Sequence, residues 1–228
     1  IDFDYSYIFT YGQKWEELIN QHLTKLKRLQ FRMIRHIQSW MTEERQINHI
    51  LDTFRSEFWL VKRHWYIQCD WYSGREIHIY TFPYAFDKYQ FLFPISSKST
   101  YPNDINQRSY DNVRNLMYKP RFSEMSSTSH IQFYNIEHLS IDFPISNHFW
   151  TIVPSLDHLK SLDVLSNDHD ELCQNQLQEL LERSPRLSSI RICWKTLTSP
   201  LKQLFDSRNL SVYHLELLCY GGWLKHEK

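Results

Sequence analysis

Leu159-Lys-Ser-Leu162-Asp-Val164-Leu-Ser-Asn167 is the stretch on which the reading of this chain turns. Apolar residues stand at its first, fourth and sixth places, and an asparagine at its ninth. Leu162 and Val164 are two residues apart, so on an extended backbone they face the same side. An asparagine at the exit can turn inward and bond backbone groups that the strand leaves open. One such strand cannot bury its apolar side alone, so neighbours of the same kind are expected.

Looser copies flank it. Ile136, Leu139 and Ile141 form one; Leu187, Ile190 and Ile192 another; Val212, Leu215 and Leu217 a third. Val113, Leu116 and Tyr118 form a weaker copy, and Leu26, Leu29 and Phe31 stand near the start. In a chain that is 42% apolar, such triplets arise by chance roughly 16 times, so a single one decides little. The spacing decides more. The anchors Leu116, Leu139, Leu162, Ile190 and Leu215 lie 23, 23, 28 and 25 residues apart, inside the range of leucine-rich repeats. Between them the period changes. Gln174 to Arg183 sets Leu177, Leu180 and Leu181 on one helical face, and Ser184-Pro185 ends it. Phe149 to Pro154 and Leu201 to Phe205 repeat the arrangement. The expected fold is therefore α/β: an irregular leucine-rich-repeat solenoid, parallel strands on the concave face and helices on the convex one.

The N-terminal third also alternates. Trp15–His22 and Glu43–Phe54 read as helices, with Ile47, Ile50, Leu51 and Phe54 on one face of the second and Thr42 as its cap. Leu26–Met33 reads as a strand. Trp65 to Trp71 and Ile77 to Thr81 alternate at period two and are joined across Ser73-Gly74, which reads as an antiparallel hairpin within 64–82. Residues 83–112, with Pro83, Pro94 and Pro102, read as a long insertion over the surface. The whole chain, 1–228, is thus expected as one domain: aromatic-rich divergent repeats over 1–82, the insertion, and clearer repeats over 113–228.

Composition narrows the function. Only four of 228 residues are glycine (12, 74, 221 and 222). Phosphate-cradling loops and nucleophile elbows need glycines at close spacing, so both are absent. The 26 basic and 26 acidic side chains cancel, which implies no strong field toward nucleic acid or an acidic membrane. Near-zero charge also removes a solubility aid, which suits a monomer working within a complex. The four cysteines show no CxxC spacing, a usage that fits a reducing compartment, cytoplasmic or nuclear. No apolar run reaches bilayer length. The first residue is Ile and no leader pattern follows, so the chain reads as a piece of something longer.

Twelve histidines lie along the chain without the spacing of a helical or finger-type metal site, so no metal and no cofactor are expected. Ser199-Pro-Leu-Lys202 reads as a helix cap followed by a first-turn proline, and Cys193 and Cys219 as packing residues, so no catalytic residue is assigned. Lys25, Lys27, Arg28, Arg32 and Arg35 form a basic run; with Leu26, Leu29, Phe31 and Met33 turned inward, Lys27, Arg28, Gln30 and Arg32 read as a solvated face rather than a nucleic-acid site.

Four further blocks are similar in wording to one family. They are Tyr11-Gly-Gln-Lys-Trp-Glu-Glu-Leu-Ile19, Phe54-Arg-Ser-Glu-Phe-Trp-Leu60, Ile79-Tyr-Thr-Phe-Pro-Tyr-Ala-Phe-Asp87 and Asn147-His-Phe-Trp-Thr-Ile-Val-Pro154. Together they resemble the leucine-rich-repeat region of F-box proteins, a lineage-expanded invertebrate set. The resemblance implies a protein-interaction module that recruits a substrate protein for a ubiquitin ligase. The F-box, which binds the ligase adaptor, matches nothing in residues 1–45 and would lie upstream or have been lost. The alternative is a repeat scaffold or ligand-binding domain with no ligase role; nucleic-acid binding or an enzyme comes third.

Strand geometry names the surface. Residues that alternate outward would line the concave face: His138, Ser140 and Asp142; Ser161, Asp163 and Leu165; Ser189, Arg191 and Cys193; His214, Glu216 and Leu218. Asn115, Met117 and Lys119 would extend it, followed by Tyr66, Gln68 and Asp70.

Overall fold

The computed structural model describes residues 9–38, 41–71, 76–92, 96–102, 109–119, 131–146, 148–166, 171–194 and 212–219. In chain order its elements are α1 (Gly12–His22), β1 (Arg32–His36), α2 (Glu43–Asp52), a π-helical turn (Phe58–Arg63), β2 (Tyr66–Trp71), β3 (Glu76–Phe82), β4 (Lys88–Leu92), β5 (Ser96–Ser99), β6 (Asn115–Lys119), β7 (His138–Phe143), α3 (Phe149–Ile152), β8 (Ser161–Ser166), α4 (Glu171–Glu182), β9 (Ser189–Trp194) and β10 (His214–Cys219). The chain divides into two compact units. One is Ile1–Ala85 with Phe93–Ser109 and Ser123–His130; the other is Phe86–Leu92 with Tyr110–Phe122 and Ile131–Lys228.

In the first unit four antiparallel strands run in the order β1-β3-β2-β5. Ile67 and Cys69 of β2 and Ile77 and Ile79 of β3 are fully buried in one apolar cluster with Ile19 of α1 and Ile47, Ile50 and Leu51 of α2. The aromatics complete it. Trp15 stacks on Phe31 at 5.3 Å, and Phe54 meets Trp59 edge-on at 4.8 Å. Each fully buried apolar side chain of this kind contributes about 1.5–3 kcal/mol of transfer free energy. Thr42 sits at the N-cap of α2 with extended backbone, but its side chain makes no capping bond. The strand expected at 26–33 forms later, at Arg32–His36. Pairing with β3 fixes it there: Met33 lies opposite Ile79, and the ladder continues only as far as Phe31, bonded to Thr81.

In the second unit six strands run parallel in the order β10-β9-β8-β7-β6-β4. The register aligns two interior rows. Tyr89, Leu116, Leu139, Leu162 and Ile190 make one; Phe91, Tyr118, Ile141, Val164 and Ile192 make the other, and all ten are buried. Each strand enters the sheet in the same way. Two successive N–H groups donate to one carbonyl of the preceding strand's entry: 114 and 115 to Asp87, 137 and 138 to Arg114, 160 and 161 to Glu137, 188 and 189 to Lys160, 213 and 214 to Ser188. The side-chain amide of Gln176 on α4 clamps Ile145, accepting from its N–H at 2.7 Å and donating to its carbonyl at 2.8 Å.

This is not the expected solenoid. Among the described residues, four of the ten strands belong to a separate antiparallel sheet, in which β3 pairs with β1 and β2, and β2 with β5. Among the described residues the parallel sheet has only α3, a single turn, and α4 between its strands. The stretch 83–112, expected as a surface insertion, carries β4 in the parallel sheet and β5 in the antiparallel one. Asn167, the Ser199–Lys202 cap and the helix expected at 201–205 lie outside the described residues.

Candidate functional site

The twelve residues singled out by alternation on β7 to β10 lie on one face of the parallel sheet, opposite the two apolar rows. Register sets them side by side. His138, Ser161, Ser189 and His214 form a first row; Ser140, Asp163, Arg191 and Glu216 a second; Asp142 and Leu165 a third, continued by Cys193 and Leu218. Asn115 and Met117 extend the first two rows onto β6. Lys88 and Gln90 of β4 extend them once more. Those two were not foreseen, although Tyr89 and Phe91 alternate with them; leucine positions filled by aromatics hid the strand.

The second row carries the strongest geometry. Arg191 Nε donates to Glu216 Oε2 at 2.6 Å, and its Nη1 donates to Asp163 Oδ2 at 3.4 Å. One cation on the central strand is thus held between two anions on the strands beside it. Glu216 and Asp163 together raise the pKa of Arg191 above its ordinary value, the Glu216 hydrogen bond most. All three side chains remain substantially exposed. Exposed pairs of this kind contribute little to stability. Their effect is positional: they hold a guanidinium between two carboxylates in one row of the surface.

The third row holds a different signal. Asp142 Oδ1 is buried and meets no hydrogen-bond donor. Burial raises the pKa of this carboxyl above its usual value, against the nearby cation of Lys119, which lowers it. Leu165 beside it is half-buried, Cys193 is buried, and Leu218 is exposed. A carboxylate at the end of an apolar row suits a ligand group that brings both an apolar body and a hydrogen-bond donor.

Tyr66, Gln68 and Asp70 are not on this face. They lie on β2 in the first unit, with Gln68 and Asp70 fully buried. There Asp70 accepts from Tyr80 and Ser97 at 2.5 Å each, and Gln68 donates to both Asp70 and Ser97. Period-two alternation cannot distinguish a solvated face from one buried under further chain.

Cys69, Cys173 and Cys193 are buried free thiols, and burial, aided by Asp70, pushes the Cys69 thiol far up, away from the reactive thiolate. Burial raises the Tyr118 phenol to about 12, against a 2.8 Å hydrogen bond with Ser146. Among the described residues no three His, Cys, Asp or Glu side chains gather as a metal site would require, and no helix is long and apolar enough to cross a membrane. Compared with known proteins, the chain matches no family model, no curated protein and no solved structure.

Proposed function

We propose that the chain is a protein-interaction module that takes its partner on the open face of the parallel sheet. One observation carries the reading: a contiguous, mixed-charge face, with Arg191 held between Asp163 and Glu216 and the undonated carboxylate oxygen of Asp142 in the adjoining row. A protein partner presents donors, acceptors and apolar groups at matching spacing. The partner's class follows from the resemblance of the four sequence blocks, which suggests a substrate protein recruited for ubiquitination by an F-box-type receptor. No further component is invoked: no cofactor, metal or nucleic acid takes part in this reading.

The test is a charge swap. Arg191→Glu exchanges the central cation for an anion between two others, which the surface cannot accommodate without losing its pattern. Partners identified by mass spectrometry with the unaltered protein should be lost with Arg191→Glu and with Asp163→Arg, while the folded signal in circular dichroism is retained. Retention of the same partners at the same affinity would assign binding to another surface. The ligase connection is tested separately, by partner ubiquitination in cells: turnover that depends on Arg191 supports recruitment. Partner binding with no effect on ubiquitination would favour a scaffold instead.

A further inference from the structure

The basic run of the first unit separates into two chemically distinct halves. Arg32 donates to the Tyr84 hydroxyl at 3.0 Å, and buried Arg35 reaches Thr10 and Tyr11, lying over the Tyr11 ring. These two arginines are absorbed by the fold. Lys25, Lys27 and Arg28 are not. All three are exposed, and among the described residues their charges have no ion-pair or hydrogen-bond partner.

A second segment is drawn up to them. Arg63, at the end of the π-helical turn, donates from Nη1 to the Leu26 carbonyl at 2.8 Å. Its guanidinium lies 5.4 Å from the Phe58 ring and 5.2 Å from the Trp65 ring, which hold it in place. The turn adds exposed Lys62, whose contact with Glu57 is long at 3.7 Å, and exposed His64. No carboxylate occurs from residue 18 to residue 42. Two aliphatic side chains are exposed on the same pair of segments: Leu23 at 42% and Val61 at 61%.

We propose that this corner binds an acidic segment of a partner protein, one in which carboxylates alternate with apolar side chains. The cations supply charge complementarity, and Leu23 and Val61 supply apolar contact. Single-stranded nucleic acid is disfavoured because it stacks its bases on exposed rings. Here Phe58 and Trp59 are buried and Trp65 is half-buried with Arg63 beside it; segments 22–30 and 58–64 expose no Phe, Tyr or Trp. Duplex binding through phosphates alone would leave Leu23 and Val61 without a role. An anionic membrane would take the lysines, but interfacial anchors favour aromatic rings, and segments 22–30 and 58–64 expose none. The proposal is independent of the sheet face and stands or falls without it.

The experiment measures fluorescence anisotropy of the whole chain with three labelled probes. These are a synthetic peptide alternating Glu and Leu, a mixed-sequence single-stranded oligonucleotide of equal charge, and, by co-sedimentation, phosphatidylserine vesicles. The peptide should bind most tightly, and its affinity should fall about tenfold or more when salt is raised from roughly 50 mM to several hundred mM. Lys25→Glu with Lys27→Glu and Arg28→Glu should abolish the binding. Leu23→Ser with Val61→Ser should weaken it severalfold while leaving its salt dependence unchanged. The milder Lys25→Gln with Lys27→Gln guards against a folding defect and should reduce affinity by an intermediate factor. Tighter binding to the oligonucleotide or the vesicles would overturn the assignment. So would no peptide binding at low salt, or unchanged binding by the charge-reversed chain.

Discussion

Asp142 sits in the fold at a cost to its own carboxylate. Its Oδ1 is buried without a donor, and burial raises its pKa above the ordinary 3.8. A carboxyl with a raised folded pKa binds its proton more tightly in the folded state than in the unfolded one. Its favourable contribution is therefore complete below the ordinary value and is lost as pH rises through the raised folded value. Asp142→Asn should raise the thermal midpoint at neutral pH, with little effect well below pH 3.8. Melting curves across that range check the sign; a lowered midpoint at neutral pH would mean that Lys119 outweighs burial. Gly12 makes a second case, in which the fold alone is served. Its N–H donates to Thr53 Oγ1 at 2.8 Å, and a Cβ there would stand 2.2 Å from the Thr53 carbonyl oxygen. A backbone atom cannot yield as a side chain tip does. Gly12→Ala should cost about 2 kcal/mol or more, read from denaturant midpoints.

At the scale of elements, the register of the parallel sheet was legible and its surroundings were not. The anchors Leu116, Leu139, Leu162, Ile190 and Leu215 stand directly opposite one another in successive strands. Since Asp163, Arg191 and Glu216 each follow an anchor, their meeting was implicit in the same spacing. Strand β4 was missed because Tyr89 and Phe91 replace leucine between two prolines. The antiparallel sheet was legible only locally, in the alternation that became β2 and β3; which further strands flank them depends on long-range pairing that no local period encodes. Two contacts were likewise out of reach, since nothing in spacing links Arg63 to Leu26 or Gln176 to Ile145. The second of these bears a direct test. Gln176 satisfies both backbone groups of Ile145 from half-buried surroundings. Gln176→Leu keeps the bulk and removes both partners, so it should cost about 1–3 kcal/mol. Gln176→Glu keeps the acceptor but sets a carboxylate against the Ile145 carbonyl, so at neutral pH it should rescue less than half. Equal stability of all three would show that water satisfies Ile145 instead.

At the scale of the whole molecule, two features combine that are harmless apart. The formal net charge is zero and the isoelectric point is about 7.3, so mutual repulsion between copies vanishes near neutral pH. Strand β10 is the outer strand of its sheet among the described residues, and it exposes Leu215, Leu217 and Leu218, with Tyr213 just before it. Leu215 and Leu217 continue the two interior rows that bury Ile190 and Ile192, so at the edge an apolar pattern made for covering meets water. An open strand edge with apolar side chains is a template for pairing with another chain. Light scattering should therefore rise with concentration most steeply near pH 7.3 and ease on moving to either side. Leu217→Lys places a charge on the outer strand at a side chain 41% exposed, so it should suppress that rise at neutral pH. If Leu217→Lys scattered like the parent while pH still relieved the effect, net charge alone would control association. If neither changed it, the edge would not be the route by which copies meet.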